Sequence, residues 1–252
     1  MDQSFIFFPD QDMVATPAQE GLSFSEIALM TKDNVRIHGW WIPNAKAKRV
    51  FLLLHGNGGN ISHRVEQIKR LYDQLQVSIF ILDYREYGKS DGKVSEAGTY
   101  LDAEAAYDYL AKLTHQGNII VYGHSLGAAV AVELAVRRKV GALILESPFL
   151  SILEMAKVQY GWLPLSGLIT TLYDNQSKIK KLHLPLLILH GDADELVPYG
   201  HGQRLFYEAN EPKQFYTVKH AGHNNLDLVG GAAYYKTIAN FLEAPSGKQN
   251  WQ

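Results

Sequence analysis

The chain has 252 residues, 46% of them apolar, which is enough for one large domain with a sizeable core. Its 24 basic and 26 acidic residues nearly cancel, which argues against nucleic-acid partners and a polybasic membrane anchor. The absence of cysteine excludes disulfides, thiolate metal sites, thiol catalysis and palmitoylation of the chain itself.

The start, Met1-Asp-Gln-Ser-Phe-Ile-Phe-Phe-Pro9, has four large apolar side chains in a row but no basic n-region, and the run is too short for a signal peptide or a span. It is expected to pack as a strand or clamp on the domain edge. A hydrophobic foot touching lipid is the alternative, and a soluble cytoplasmic protein is the default. Residues 23–30 and 34–42 read as two strands joined by the hairpin chemistry of Thr31-Lys-Asp-Asn34. Arg49-Val-Phe-Leu-Leu-Leu54 is a continuous apolar run too short for a helix, as expected of a parallel strand buried on both faces.

From there apolar strands (77–82, 118–122, 140–145, 184–189 and 214–219) alternate with helical patterns at 62–76, 95–113, 126–138, 200–209 and 226–243. Alternation implies right-handed crossovers and an eight-stranded, mostly parallel, doubly wound α/β sheet, made mixed by its antiparallel start. One interval breaks the rhythm: from 148 to about 182 the chain is long enough for a small helical cap. Its apolar residues, among them Phe149, Trp162 and Leu165, either pack the cap or wall a greasy substrate channel.

Ligands of such sheets sit beyond the carboxyl ends of the strands. After the strand at 118–122 stands Gly123-His-Ser125-Leu-Gly127, then an alanine-rich helix. A serine wedged between strand and helix occupies a tight corner, with glycines that let neighbouring backbone pass close. Ser125 is the candidate nucleophile; capping an ordinary helix is its bland alternative. A serine hydroxyl needs an imidazole to take its proton, and the imidazole needs a carboxylate to hold its tautomer.

Two later strand ends carry such groups: His190-Gly-Asp192-Ala-Asp194 and His220-Ala-Gly-His223. Asp192 is placed to tie down its turn and Asp194 has more reach; on the residues alone both remain open. His220 belongs to its strand end, whereas Gly222 leaves His223 free to swing toward Ser125. His55, His124 and His190 are expected to be hydrogen-bonding loop residues. An oxyanion hole needs two fixed N–H donors. Leu126 supplies one from the elbow, and Asn57 in His55-Gly-Asn57-Gly-Gly-Asn60 is the candidate for the other. A phosphate cradle is the rival reading of that loop, but it lacks the Gly-Lys-Ser/Thr ending.

Those segments, with Asp83-Tyr-Arg-Glu-Tyr-Gly-Lys-Ser90, Glu146-Ser-Pro-Phe149 and Asp194-Glu-Leu-Val-Pro198, resemble the α/β-hydrolase superfamily. More closely they resemble the ABHD-type branch of acyl-protein thioesterases, monoacylglycerol lipases and many uncharacterised bacterial hydrolases. The resemblance runs from about residue 22 to 243. Its Gly-x-x-Asp-x-x-Val-Pro pattern falls on Gly191, Asp194, Val197 and Pro198 and implies Asp194 as the triad acid; its Gly-His implies His223. One departure is Glu86, where relatives usually carry glycine. The cysteine-rich N-terminus of membrane-anchored relatives is also absent. The implied activity is hydrolysis of a small-molecule acyl ester or thioester, its acyl chain of medium or long length given the apolar cap, without metal or organic cofactor. An aminopeptidase-like amide hydrolase gripping a substrate amine with Glu146 or Glu154 is one alternative. A non-catalytic binder on the same fold is another.

Overall fold

A computed structural model describes residues 6–161 and 171–244. Eight strands form one sheet: β1 (Ser25–Met30), β2 (Arg36–Ile42), β3 (Val50–Leu54), β4 (Ser78–Leu82), β5 (Ile119–His124), β6 (Ala142–Glu146), β7 (Leu186–Gly191) and β8 (Lys213–Val218). Their spatial order is β8-β7-β6-β5-β3-β4-β2-β1. β1 pairs antiparallel with β2, and β2 antiparallel with β4; the remaining neighbours run parallel. Every residue of β3, β4 and β6 is buried, which is why these strands read as apolar runs, broken only by Ser78 at the start of β4 and Glu146 at the end of β6. β1 lies at an edge and alternates between half-buried and exposed positions.

Among the described residues seven α-helices flank the sheet: α1 (Val65–Leu75), α2 (Glu96–Leu113), α3 (Leu126–Arg137), α4 (Ile152–Tyr160), α5 (Asn175–Ile179), α6 (Tyr199–Glu208) and α7 (Leu226–Glu243). Two apolar layers result. One holds Ala103, Ala106 and Leu110 of α2, the alanines of α3, Ile179 and Leu205. The other holds Val65, Ile68 and Leu71 of α1 with Tyr234, Ile238 and Phe241 of α7. Helices on both faces are what a right-handed parallel crossover requires.

Local chemistry sets the boundaries. The hairpin turn closes with Asn34 at φ 62°, while the Thr31 hydroxyl accepts from the Val35 N–H at 2.9 Å. The helix expected from residue 62 begins as a 3₁₀ turn, Ile61–Arg64, because the Asn60 side chain accepts from the Ser62 N–H and ends the loop there. Ser95 caps α2 by accepting from Gly98 N–H at 3.1 Å. β5 runs two residues further than its apolar run, since Gly123 and His124 still pair with Leu145 and Glu146.

The segment expected to form a cap begins with α4, capped by Ser151. Its two ends are stitched together, Ile152 N–H to the Leu172 carbonyl at 2.9 Å and Asn175 N–H to the Leu150 carbonyl at 2.9 Å. Phe149, Leu150 and Tyr173 are buried in the main core, and α5 packs on α3, so these positions belong to the body of the fold. Trp162 and Leu165 lie outside the described residues. Among the described residues no helix is long and apolar enough to cross a membrane.

Candidate active site

Ser125 follows β5 directly and opens α3 with φ 52° and ψ −114°. That left-handed corner is costly for a side-chain-bearing residue and is held by its surroundings. A Cβ on Gly123 would sit 2.3 Å from the Gly127 carbonyl oxygen, and one on Gly127 only 1.9 Å from that of Leu54. Both positions therefore require glycine. The Ser125 N–H donates to the Glu146 carbonyl at 2.9 Å, tying the elbow to the end of β6.

The three distant segments meet. His223 Nε2 lies 2.9 Å from the Ser125 Oγ, and the His223 Nδ1–H donates to Asp194 Oδ2 at 2.9 Å. The His223 side chain is 5% exposed and that of Asp194 is fully buried, so the relay is shielded from competing water. Asp194 Oδ1 accepts from the Leu196 and Val197 N–H groups at 2.9 and 2.8 Å, and His190 Nε2 lies 3.3 Å from Oδ2. Burial alone would raise the Asp194 pKa. The hydrogen bonds from His190 and His223 outweigh it and hold the carboxyl well below the ordinary range. It is an anion wherever the protein is folded near neutrality.

The two aspartates left open by the residues face different partners: Asp194 meets the His223 ring, Asp192 does not. Asp192 Oδ1 accepts from the His220 N–H at 2.6 Å and Oδ2 pairs with Lys219 at 3.1 Å, so Asp192 ties its turn. His220 is exposed, at φ 63°. The other histidines are hydrogen bonders. His124 Nε2–H donates to the His223 carbonyl at 3.1 Å, and burial lowers its pKa to about 3. His55 is likewise held neutral by burial, its pKa lowered to about 4.

The loop after β3 abuts the elbow: a Cβ on Gly56 would lie 3.6 Å from the Ser125 Cβ. Among the described residues, neither the Asn57 N–H nor the Leu126 N–H donates to a protein acceptor. Glu86 has φ 73°, the conformation for which glycine is suited, and its carboxylate offsets the strain by accepting from Val94 N–H at 2.9 Å. Phe149 is packed into the core under α3 and is 4% exposed. A cavity of about 540 Å³ adjoins the site behind the His223 loop. Its lining, with Arg64, His124, Glu146, Asn224 and Asp227, is polar and does not suit an acyl chain. Among the described residues no group of three or more His, Cys, Asp or Glu is placed to hold a metal.

Contacts to the loop after β3 from Tyr84, Tyr87 and the N-terminal segment were not legible in the residues. The available signal was the repeated tyrosine in Asp83-Tyr-Arg-Glu-Tyr87, placed at the active edge just after β4.

Comparison with known proteins identifies the family. Residues 49–168 match the family model described as alpha/beta hydrolase fold. An uncharacterized protein of Mycobacterium tuberculosis is 36% identical over 241 residues, covering 94% of this chain and 85% of its own. The alpha/beta hydrolase domain-containing protein WAV2 of Arabidopsis thaliana is 35% identical over 251 residues, covering 90% and 81%. The solved structure of the Pyrococcus furiosus esterase Pf2001 superimposes with a TM-score of 0.77 at 22% identity, covering 94% of this chain and 98% of that one. A shared fold with that structure and more than a third identity along nearly the whole chain lead to one conclusion: this protein belongs to the α/β hydrolase family.

Proposed function

We propose that this protein is a serine hydrolase that cleaves a carboxylic ester or thioester through an acyl-enzyme. The observation that carries the reading is the continuous relay from the Ser125 hydroxyl through the His223 ring to the buried Asp194 carboxylate, with both links at 2.9 Å. Ser125 Oγ attacks the acyl carbonyl while His223 Nε2 takes its proton. The carbonyl oxygen becomes an oxyanion facing the N–H groups of Asn57 and Leu126. His223 returns the proton to the departing alcohol or thiol, and the acyl group remains on Ser125. Water then loses a proton to the same nitrogen, attacks the ester, and releases the acid with Ser125 regenerated. Asp194 keeps Nδ1 protonated throughout, so that Nε2 presents its lone pair to the serine.

Exposed apolar side chains on the segments around the relay favour an acyl substrate. Phe8, Leu196 and Leu228 are 56%, 54% and 61% exposed. They stand on the segments that contact Asn57, carry Asp194 and follow His223. No observation favours an amide substrate gripped by its amine: Glu146 is engaged by Tyr122 and Tyr234, and Glu154 by Lys157.

The test is labelling by a fluorophosphonate probe, with turnover of p-nitrophenyl esters graded by chain length and of aminoacyl amides. Labelling and ester turnover should both vanish in Ser125→Ala and persist in excess chelator. A wild-type protein that stays unlabelled would be a binder, and faster amide than ester turnover would shift the reading to amidase.

A further inference from the structure

We propose that the Tyr87 hydroxyl and the N-terminal strand Phe8–Pro9 are positioning groups for the oxyanion donor Asn57. This inference rests on the hydrolase reading above. The problem they solve is softness. The loop Gly56-Asn57-Gly58-Gly59 contains three glycines in four residues, and Gly59 has φ 74°. Glycine-rich backbone samples many conformations, yet an oxyanion donor is effective only when it stands about 2.7–3.1 Å from the developing charge. A misplacement of about 1 Å can cost roughly a hundredfold in rate. Something outside the loop must hold it.

Two segments do so. The Tyr87 hydroxyl donates to the Asn57 carbonyl at 2.8 Å, and the Phe8 N–H donates to the same oxygen at 3.1 Å. The Asn57 side-chain Nδ2 donates in the opposite sense to the Ile6 carbonyl at 2.8 Å. Residue 57 is thereby held at both its main chain and its side chain. Phe8 and Pro9 pair in parallel with Gly58 and Gly59. The ends of the loop are fixed from the same turn: Tyr84 hydroxyl donates to the His55 carbonyl at 3.1 Å, and Asp83 Oδ1 accepts from Ile61 N–H at 2.9 Å. Gly88 N–H, from that turn, donates to the Asp10 carbonyl at 2.8 Å and fastens the N-terminal segment in turn. Tyr87 is fully buried, and burial pushes its hydroxyl pKa well up, so it remains a donor throughout the useful pH range. This gives the turn at 83–88 and the apolar N-terminal run a shared task that neither edge packing nor lipid contact explains.

The experiment compares the full-length wild type with Tyr87→Phe. It measures kcat and KM on p-nitrophenyl butyrate per fluorophosphonate-titrated site, together with inhibition by butylboronic acid. The boron adduct places a tetrahedral oxygen in the oxyanion hole. Tyr87→Phe should lower kcat by roughly ten- to a hundredfold at unchanged KM, and weaken boronate inhibition by a similar factor. A residue that merely stabilises the fold would lower the number of titratable sites and leave kcat per site and boronate affinity alone. Values of both within twofold of wild type overturn the proposal. If Tyr87→Phe does not fold, Asn57→Ala is read in the same way, since it removes the anchor to Ile6 while keeping the backbone N–H. A wild type that the probe fails to label would instead refute the hydrolase reading, and this inference with it.

Discussion

Replacing Asp194 by Asn tests the relay at its least accessible point. Asn keeps an oxygen where Asp194 Oδ1 accepts from Leu196 and Val197 N–H, so the loop retains its shape. The changed atom is Oδ2, which now faces His223 Nδ1 at 2.9 Å as an NH₂ group. An amide donor cannot accept from Nδ1–H. The ring therefore adopts the other tautomer, with Nδ1 bare and Nε2 carrying the proton, and Nε2 then points a hydrogen at Ser125 Oγ instead of a lone pair. The expected loss in kcat is about 10⁴, the size found when a triad carboxylate is made an amide elsewhere, or about 5 kcal/mol of barrier. Asp192→Asn is the internal comparison. Its carboxylate holds the His220 N–H and Lys219 at the turn and touches no triad member, so kcat should stay within about threefold of wild type. The assay is steady-state ester hydrolysis per titrated active site, with thermal melts to confirm folding. Asp194→Asn within tenfold of wild type, or Asp192→Asn the more damaging of the two, would refute the assignment.

Other consequences concern stability. Glu86→Ala keeps the left-handed backbone and loses the bond to Val94 N–H, whereas Glu86→Gly relieves it; the glycine variant should be the more stable by about 1 kcal/mol in urea titration. Gly127→Ala drives a Cβ into the Leu54 carbonyl, so it should cost more than about 3 kcal/mol or abolish folding. Gly200→Ala, in α6 with nothing near its Cβ, should add about 0.5–1 kcal/mol. Glu146 is buried against Tyr122 and Tyr234, and burial raises its pKa from 4.5 to about 8. Between those values the folded protein keeps a proton that the unfolded chain has released, so stability falls as pH rises, by at most about 5 kcal/mol. Glu146→Gln should flatten urea midpoints measured from pH 5 to 8, and an unchanged slope would count against the buried acid.

The sequence by itself determined the parts that depend on local periodicity and on a residue's place at a strand end. β3 is legible because a strand buried on both faces is apolar at every position, β6 because its run Ala142–Leu145 is apolar up to the buried Glu146 at its end, and α1 because its core-facing residues recur at helical spacing. The Ser125 corner is legible because only glycine fits at 123 and 127. The roles of Asp192 and Asp194 stayed open on the residues alone, since both are short acids in one turn and a loop's side-chain directions are not encoded in spacing. Tertiary structure separates the two by bringing the loop after β8 across, so that His223 meets Oδ2 of Asp194 and not Asp192. Tertiary structure also placed Phe149 in the core and Ile6–Phe8 against the Asn57 loop. An apolar residue carries the same signal whether it fills a core, lines a pocket or clamps a neighbour. Which of these it does depends on partners some fifty residues away in the chain, as with Phe8 and Gly58.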